Sequence, residues 1–321
     1  MNVYSSPLIV QRADPYIYKH TDGYYYFTAS VPAYNLIEIR RARTIEGLAH
    51  AAPRTIWRKH DEGPLSQLIW APELHFTNGK WYVYFAASHT AELDENGMFQ
   101  HRMYCLECDI ADPMSGEENW IEKGQINTQF DTFALDATTF EAQGKLYYVW
   151  AQRDPEIKGN SNLYIAEMEN PWTIKGDGVM LSKPEFDWET IGFWVNEGPA
   201  IIHRNGRYFM TYSASATDEN YAMGMLTVKD DVDLLDANNW TKSQTPVFQS
   251  DLETKQFGPG HNSFTVAEDG ITDLMVYHCR DYTEIKGDPL YDPNRHTKVQ
   301  SFTWNDDGTP NFGKPLPYNY N

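Results

Sequence analysis

A pattern of one turn between two short strands recurs five times along the 321-residue chain. In each copy a short strand leads into a turn that contains glycine, and an aromatic, β-branched strand follows. The turns are Asp22-Gly23, Asn78-Gly79, Gln143-Gly144, Asn205-Gly206 and Asp269-Gly270. Glycine in a tight hairpin loop takes the positive φ that such loops require. A third strand-like run follows each hairpin, so each copy predicts a small antiparallel sheet.

The spacing of the copies predicts how these sheets assemble. The residue that leads the first strand of each copy is ionisable, and successive leading residues are 59, 63, 61 and 64 positions apart. They are Asp14, Glu73, Asp136, Glu197 and His261. Sheets repeated at a fixed period close radially with their first strands innermost, and helical periodicity is almost absent. We therefore predict an all-β fold, a single five-bladed β-propeller domain over residues 1–321, in which the run Leu8-Ile-Val10 closes blade five.

The five leading residues would meet in one central funnel. Carboxylates held close together repel, so at least one of them keeps its proton near neutral pH. A protonated carboxyl beside an ionised one can cleave a glycosidic bond. Glu197 follows an apolar and aromatic run whose desolvation raises a carboxyl pKa, which favours it as the general acid. Arg12 beside Asp14 favours the ionised form of a general base, and Asp136 would orient the acid and tune its pKa.

Composition excludes two classes of partner. The chain has 26 Lys and Arg against 45 Asp and Glu, a formal net charge of −19. Nucleic acid needs cationic side chains against its phosphates, and an anionic membrane surface repels an acidic chain, so we expect neither partner. The N-terminus shows no basic and apolar leader, which favours a cytoplasmic protein; the alternative is the mature form of a secreted protein, which would begin in the same way. The three cysteines are expected to be structural thiols.

Five short motifs follow one another through the chain in the order of the repeat. They are Arg12-Ala-Asp14-Pro15, Trp70-Ala-Pro72-Glu73, Leu135-Asp136, Asn196-Glu197-Gly198-Pro199 and Gly258-Pro-Gly-His261-Asn262. Together they resemble glycoside hydrolase family 43, whose members are five-bladed propellers. The resemblance implies inverting hydrolysis of arabinose- or xylose-containing glycans, with Asp14 as general base, Asp136 as pKa modulator and Glu197 as general acid.

The resemblance also implies an ion at the axis. It places His261 beside a central metal ion, often Ca²⁺, or beside the water or Na⁺ that takes its place, and it implies no organic cofactor. Because Ca²⁺ prefers oxygen ligands to imidazole, we expect mostly water around this ion and a structural or electrostatic role for it.

Two segments near the C-terminus indicate which group of enzymes within the family the chain resembles. Val276-Tyr-His-Cys-Arg280-Asp-Tyr282 and Asp292-Pro-Asn-Arg295-His resemble exo-acting α-L-arabinofuranosidases, which take terminal arabinose from α-1,5-arabino-oligosaccharides or arabinoxylan. An arabinose-containing oligosaccharide or polysaccharide is therefore the expected substrate. The enzymatic alternatives are a β-1,4-xylosidase and an endo-α-1,5-arabinanase. The non-enzymatic alternative is a carbohydrate-binding propeller.

Four further residues are candidates for substrate binding: Trp70, Arg280, Phe27 and Trp194. The flat ring of Trp70 precedes the innermost strand of blade two and can stack against a sugar face. Arg280 lies at the end of a strand in blade five, where it can hydrogen-bond sugar hydroxyls or hold Glu197 or Asp14. Phe27 and Trp194 belong to the aromatic residues expected around the axis.

Overall fold

The computed structural model describes residues 4–319, and β-strands make up most of the structure. Blade one contains β1 (Ala13–Lys19), β2 (Tyr25–Ser30), β3 (Leu36–Ala42) and β4 (Arg54–Arg58). Blade two contains β5 (Gln67–Thr77), β6 (Lys80–Ser88), β7 (Arg102–Cys108) and β8 (Ile121–Gln125). Each of these sheets is antiparallel and keeps its strands in chain order.

The remaining sheets continue the series. Blade three contains β9 (Ala134–Ala142), β10 (Lys145–Gln152), β11 (Asn162–Asn170), β12 (Thr173–Ile174) and β13 (Val179–Ser182). Blade four contains β14 (Asn196–Arg204), β15 (Arg207–Ala214), β16 (Ala222–Lys229) and β17 (Thr241–Lys242). Blade five contains β18 (Phe257–Val266), β19 (Asp273–Arg280) and β20 (His296–Ser301), and β21 (Thr303–Trp304) pairs with β22 (Pro310–Asn311). The prediction of an all-β, five-bladed propeller is confirmed.

Helices occupy little of the described chain. Residues 4–319 contain the α-helix α1 (Ile45–His50) and 3-10 turns at Glu117–Asn119, Asp187–Glu189, Ala237–Asn239 and Pro289–Tyr291. Thr44 begins α1, because its hydroxyl accepts the N–H of Gly47 at 3.0 Å and so satisfies one of the free donors of the first turn. None of the helices described is long and apolar enough to cross a membrane.

The glycine-containing turns form hairpins, as the sequence predicts. Thr77 pairs with Lys80, so Asn78 and Gly79 make a two-residue loop with φ values of 51° and 78°. Positive φ at both positions is the type I′ geometry that Asn-Gly favours, and its twist matches that of the flanking strands. The Gln143-Gly144 and Asn205-Gly206 turns have the same length and the same sign of φ.

A segment before β1 closes the ring against the last blade. The N–H of Leu8 donates to the carbonyl of Thr297, and the N–H of Thr297 donates to the carbonyl of Ile9, both at 2.9 Å. Leu8 and Ile9 are buried in a cluster that includes Val276 and Val299 of blade five. The predicted closing segment therefore lies outside β20, where it forms a single β-bridge rather than a full strand.

Each innermost strand has a left-handed residue at an equivalent position. The strand pairing shifts register there in all five blades. The residues are Asp14, Ala71, Asp136, Gly198 and His261, with φ values between 43° and 56°. A bulge of this kind bends the strand and re-aims its side chains. The inner strands thus turn specific side chains toward the axis at the same level in every blade.

The positions of these bulges correct the sequence alignment of two blades. In blade two the bulge lies at Ala71 rather than Glu73, and in blade four at Gly198 rather than Glu197. Glu73 lies two residues further along β5, where its Oε2 is 2.9 Å from His75 Nε2. The alignment followed ionisable residue types, whereas the structural repeat is a backbone conformation that small residues also adopt.

The closing segment allows a test of how much the ring depends on it. Ile9 is 4% exposed and its neighbour Val10 is 57% exposed. We expect Ile9→Ala to lower the free energy of unfolding by about 2–4 kcal/mol, because it leaves a cavity in a buried cluster. The matched change Val10→Ala should alter stability by less than about 0.5 kcal/mol. Denaturant unfolding measures both, and equal effects of the two changes would contradict a packed closing segment.

Candidate active site

A pocket of about 180 Å³ lies at the start of the inner strands. Asp14, Asp136, Glu197 and His261 all line it, so the bulged strands bring together four of the five leading residues. The walls come from loops between strands and between blades. They include Tyr34, Leu93, Met98, Phe99, Asn160, Phe193, Asp288 and Leu290. The result is an ionisable centre surrounded by largely apolar walls, as in small-molecule sites generally.

Asp14 is held in its ionised form by its neighbours. Its Oδ2 accepts the hydroxyl of Ser30 at 2.6 Å, and its Oδ1 lies 3.3–3.4 Å from His261 Nδ1, Arg295 Nη1 and His278 Nδ1. Burial alone would raise the pKa of Asp14, but these four groups outweigh it and lower the pKa to about 2. Arg295 supplies the lasting positive charge, because burial lowers the pKa of both histidines.

The cationic partner of Asp14 is not the one that the sequence suggests. Arg12 turns away and pairs with Glu38, with Nη2 and Oε1 2.8 Å apart. Arg295 arrives instead from the loop before β20, and its guanidinium also donates to the hydroxyl of Tyr34 at 3.0 Å. The prediction that a guanidinium favours the ionised form of Asp14 is confirmed. The guanidinium, however, belongs to Arg295 and not to Arg12. Strand alternation would place residues 12 and 14 on one face, but Arg12 precedes β1 and the bulge at Asp14 breaks the alternation.

Glu197 and Asp136 form a pair that retains a proton. Glu197 is half-buried in the pocket wall, and burial raises its pKa to about 7. Burial, with the charges of Glu197 and Asp14, raises the pKa of Asp136 well above its usual range, although the N–H of Gly198 donates to Asp136 Oδ2 at 3.1 Å. Because both pKa values are raised, the pair holds at least one proton at neutral pH.

Glycine is required beside Glu197 for two reasons. Gly198 has a φ of 56°, and a Cβ placed on it would lie 3.1 Å from the ring of His261. A side chain here would therefore strain the backbone and press on the imidazole. The same backbone N–H ties Asp136 to the residue after Glu197, which supports the predicted orienting role of Asp136.

His261 lies between two carboxylates, with Nδ1 3.3 Å from Asp14 Oδ1 and 3.5 Å from Asp136 Oδ2. Among residues 4–319 no group of three or more His, Cys, Asp or Glu side chains is arranged to hold a metal ion. A protein-built Ca²⁺ site, which needs six or more oxygen ligands, therefore does not fit these residues. The ion implied by the family resemblance would depend mainly on water, and it stays a prediction.

The four predicted substrate-binding residues lie in different places. Trp70 lines the pocket and stacks on His101 with ring centroids 3.7 Å apart. Trp194 is not among the lining residues. It carries Lys158 Nζ 3.7 Å from its ring centre, while the adjacent Phe193 faces the pocket and is 52% exposed.

The other two predicted binding residues are buried behind the pocket wall. Phe27 is fully buried in the core shared by blades one and five. Arg280 is also buried, and its guanidinium donates to the carbonyls of Thr217 and Pro289 and pairs with Asp292. The predictions of substrate contact for Phe27 and Arg280 are therefore wrong, since neither side chain reaches the pocket. For Arg280 the prediction assumed that the end of β19 lies at the site, but the side chain is buried away from it.

Sequence reasoning also missed groups that contact the carboxylates or the backbone of the inner strands. Ser30, Ser213 and His278 occupy the same place in the second strand of their blades, opposite the residue that precedes the bulge. A comparison of the ends of the aromatic strands would have found this repeated polar position. Arg295 and Tyr221 come from loops and carry no such periodic signal.

Ser30 offers a test of the Asp14 environment. Its hydroxyl donates to Asp14 and accepts the N–H of Ala71 at 2.8 Å. We expect Ser30→Ala to raise the pKa of Asp14 and to lower the free energy of unfolding at neutral pH by about 1–3 kcal/mol, because a buried N–H loses its partner. Because the pKa of Asp14 is lowered from its ordinary value of 3.8, its ionised form stabilises the fold at pH values above 3.8. The part of the stability loss that comes from the Asp14 charge should therefore shrink as the pH falls toward 2.

The matched variant is Ser6→Ala, which removes a buried hydroxyl without a partner. Unfolding curves that match for the two variants would contradict the role of Ser30.

Comparisons with known proteins agree with this geometry. Residues 4–310 match the model of glycosyl hydrolases family 43. An extracellular exo-α-(1→5)-L-arabinofuranosidase of Streptomyces avermitilis is 55% identical over 98% of this chain, which spans 64% of that protein. A protein of the same name from Streptomyces chartreusis is 52% identical over 89% of this chain and 85% of its own length. The crystal structure of an α-L-arabinofuranosidase from Lactobacillus brevis is 78% identical, with a TM-score of 0.98 over 99% of this chain and 98% of that one.

The names of these relatives contradict the expected cytoplasmic location, because both Streptomyces proteins are called extracellular. The expectation rested on the missing leader alone, and the start of a sequence does not report the compartment in which the folded protein works. The family itself follows from the match over nearly the whole described chain and from identities above one half. The chain belongs to glycosyl hydrolases family 43.

Proposed function

We propose that this chain is an inverting, exo-acting α-L-arabinofuranosidase, which releases terminal arabinose from α-1,5-arabino-oligosaccharides or arabinoxylan. One observation carries the chemistry: a single pocket holds a carboxyl with a pKa of about 2 beside another with a pKa of about 7. Environments that push two carboxyls apart in this way identify a base and an acid. The names of the relatives support the choice of sugar, linkage and exo action, and they support action outside the cell.

The proposed reaction is a single displacement. Asp14 takes a proton from water as its oxygen attacks the anomeric carbon, while Glu197 gives its proton to the oxygen of the departing sugar. Burial and the charge of Asp14 hold that proton on the acid. The charge of either Asp136 or Glu197 disfavours ionisation of the other, so Asp136 would modulate the pKa of the acid. One water is consumed and one glycosidic bond breaks. Inversion needs room for that water between the base and the sugar, which corresponds to a carboxyl separation of about 6.5–9.5 Å.

Arg295 would serve this mechanism through its charge. It keeps Asp14 ionised, so that Asp14 can accept a proton at any pH above about 2. A hydrated Ca²⁺ or Na⁺ beside His261 is part of the proposal for charge balance only, and no step passes through it.

Two amide substitutions distinguish the acid from the base. We expect Glu197→Gln to lower kcat on arabino-oligosaccharides by roughly 10²–10⁴-fold, the usual size of general acid catalysis. It should lower kcat much less on nitrophenyl α-L-arabinofuranoside, whose leaving group needs little protonation. Asp14→Asn should abolish turnover of both substrates, because each needs an activated water. Glu92→Gln, on an exposed wall loop, is the matched control. Full oligosaccharide activity in Glu197→Gln would show that another residue is the acid.

The pH dependence follows from the same two groups. Glu197 must be protonated, so kcat/KM on the oligosaccharide should fall as the pH rises through about 7. Asp14 must be ionised, and its pKa of about 2 predicts no loss of activity from the base between pH 4 and 6. A pH profile of kcat/KM from 4 to 9 measures both limbs. A constant rate up to pH 9 would argue against Glu197 as the acid.

Product stereochemistry is the direct test of inversion. Proton NMR of the reaction at early times should show β-arabinofuranose as the first product from the α-linked substrate. Release of the α-anomer first would indicate a retaining mechanism and overturn the assignment of Asp14 as a base. A parallel incubation with nitrophenyl β-D-xylopyranoside tests the sugar preference, and slow or absent hydrolysis is the expected result.

A further inference from the structure

A buried tyrosine touches the proposed acid and has no role in the mechanism above. The hydroxyl of Tyr221 donates to Oε1 of Glu197 at 2.8 Å. Tyr221 lies directly before β16 and is 1% exposed. Burial, with the charges of Glu197, Asp136 and Asp14, raises the pKa of this phenol well above its usual range. The group therefore stays protonated and remains a donor.

The ring of Tyr221 is held in place from two sides. Its plane lies within 6° of that of His278, with centroids 5.8 Å apart. On another side it presses against Gly260, where a Cβ would lie 2.4 Å from ring atom Cε1. The backbone of Gly260 does not have a positive φ, so its conformation does not require glycine. Glycine is required because the ring of Tyr221 occupies the space that a side chain would fill. This packing accounts for the glycine at position 260 within β18.

The contact has a consequence for the proton of Glu197. A carboxyl oxygen that accepts a hydrogen bond is the poorer site for a proton, so neutral Glu197 carries its proton on Oε2. As the proton leaves, charge develops on the carboxyl, and a hydrogen bond to a charged acceptor is stronger than one to a neutral acceptor. An interaction that strengthens along the reaction lowers the barrier rather than improving binding.

On the basis of the proposed function, we propose that Tyr221 is a positioning residue for proton transfer. Its hydroxyl leaves the proton of Glu197 on Oε2 and stabilises the carboxylate that forms as that proton moves to the departing oxygen. His278 and Gly260 fix the ring, and His278 also accepts the backbone N–H of Asp14 at 3.0 Å. One stacked pair of rings thus contacts both the acid and the base.

Phenylalanine at this position isolates the hydroxyl. Tyr221→Phe retains the ring against His278 and Gly260 and leaves the other groups that face Glu197 in place: Asp14, Asp136 and Arg295. We expect kcat/KM on an arabino-oligosaccharide to fall about tenfold, the effect of one hydrogen bond to a charged group. On nitrophenyl α-L-arabinofuranoside the loss should be less than about threefold, since little charge develops on the acid. The basic limb of the pH profile should move up by about one pH unit.

Tyr148→Phe is the matched control, because the hydroxyl of Tyr148 is buried without a hydrogen-bond partner. It should leave both substrates and the basic limb unchanged. Equal losses on the two substrates in Tyr221→Phe, with an unmoved limb, would assign Tyr221 a purely structural role and overturn the proposal. Unchanged activity on both substrates would overturn it as well. Thermal unfolding of each variant verifies that the fold persists.

A direct titration separates this proposal from the proposed function. The carboxyl carbon of Glu197 can be followed by ¹³C NMR in protein labelled at glutamate, and its signal is assigned by its loss in Glu197→Gln. The Glu197 titration should occur at higher pH in Tyr221→Phe than in the unsubstituted protein. If the Glu197 titration is the same in Tyr221→Phe as in the unsubstituted protein, and Glu197→Gln is inactive, only the role of Tyr221 is overturned. Full activity of Glu197→Gln on oligosaccharides removes the acid itself, and the proposal with it.

Discussion

Hydrogen bonds between neighbouring blades underlie both the ring and its site. At four of the five blade junctions described, the N–H of the left-handed residue in one inner strand donates to a side chain of the preceding blade at 2.8–3.1 Å. The pairs are Asp14 with His278, Ala71 with Ser30, Gly198 with Asp136, and His261 with Ser213. A bulge removes a backbone N–H from its ladder, and a buried N–H must find another acceptor. The preceding blade provides it, so the contacts that join the blades also stabilise the left-handed backbone that aims the axial side chains.

The electrostatics of the pocket depend on how unevenly these junctions distribute charge. The junction between blades five and one brings Arg295 and two imidazoles to Asp14. The junction between blades three and four brings only a backbone N–H and another carboxyl to the neighbourhood of Glu197. Burial alone would raise the pKa of both carboxyls, yet the pKa of Asp14 is lowered and that of Glu197 is raised. The fivefold repeat supplies equivalent positions, and the departures from that repeat place an ionised carboxylate in the same pocket as a carboxyl with a raised pKa.

Parts of this arrangement are predictable from sequence because they are local. The glycine turns, the aromatic second strands and the period follow from short stretches of chain, and they lead to the propeller. The three carboxyls Asp14, Asp136 and Glu197 follow from the period combined with residue type.

Other parts depend on contacts between distant residues, and sequence reasoning went wrong there. Arg12 is two residues from Asp14 yet faces Glu38, while Arg295 is 281 residues away and reaches Asp14. Arg280 lies in a motif that resembles an arabinofuranosidase, but the tertiary packing places it behind the wall. The positions of Ala71 and Gly198 show that a bulge is a property of the backbone, which residue chemistry alone does not reveal.

The closing segment at Leu8 and Ile9 has a consequence for when the site comes into existence. Asp14 follows this segment within five residues of Ile9, whereas its partners His278 and Arg295 belong to the last blade. During synthesis Asp14 emerges with blade one, and its ion pairs can form only after blade five has been made. Bringing such distant groups together is the slow, entropically costly part of folding. Under the proposed mechanism the polypeptide is inert until blade five meets blade one, and the appearance of turnover would report the completion of the ring.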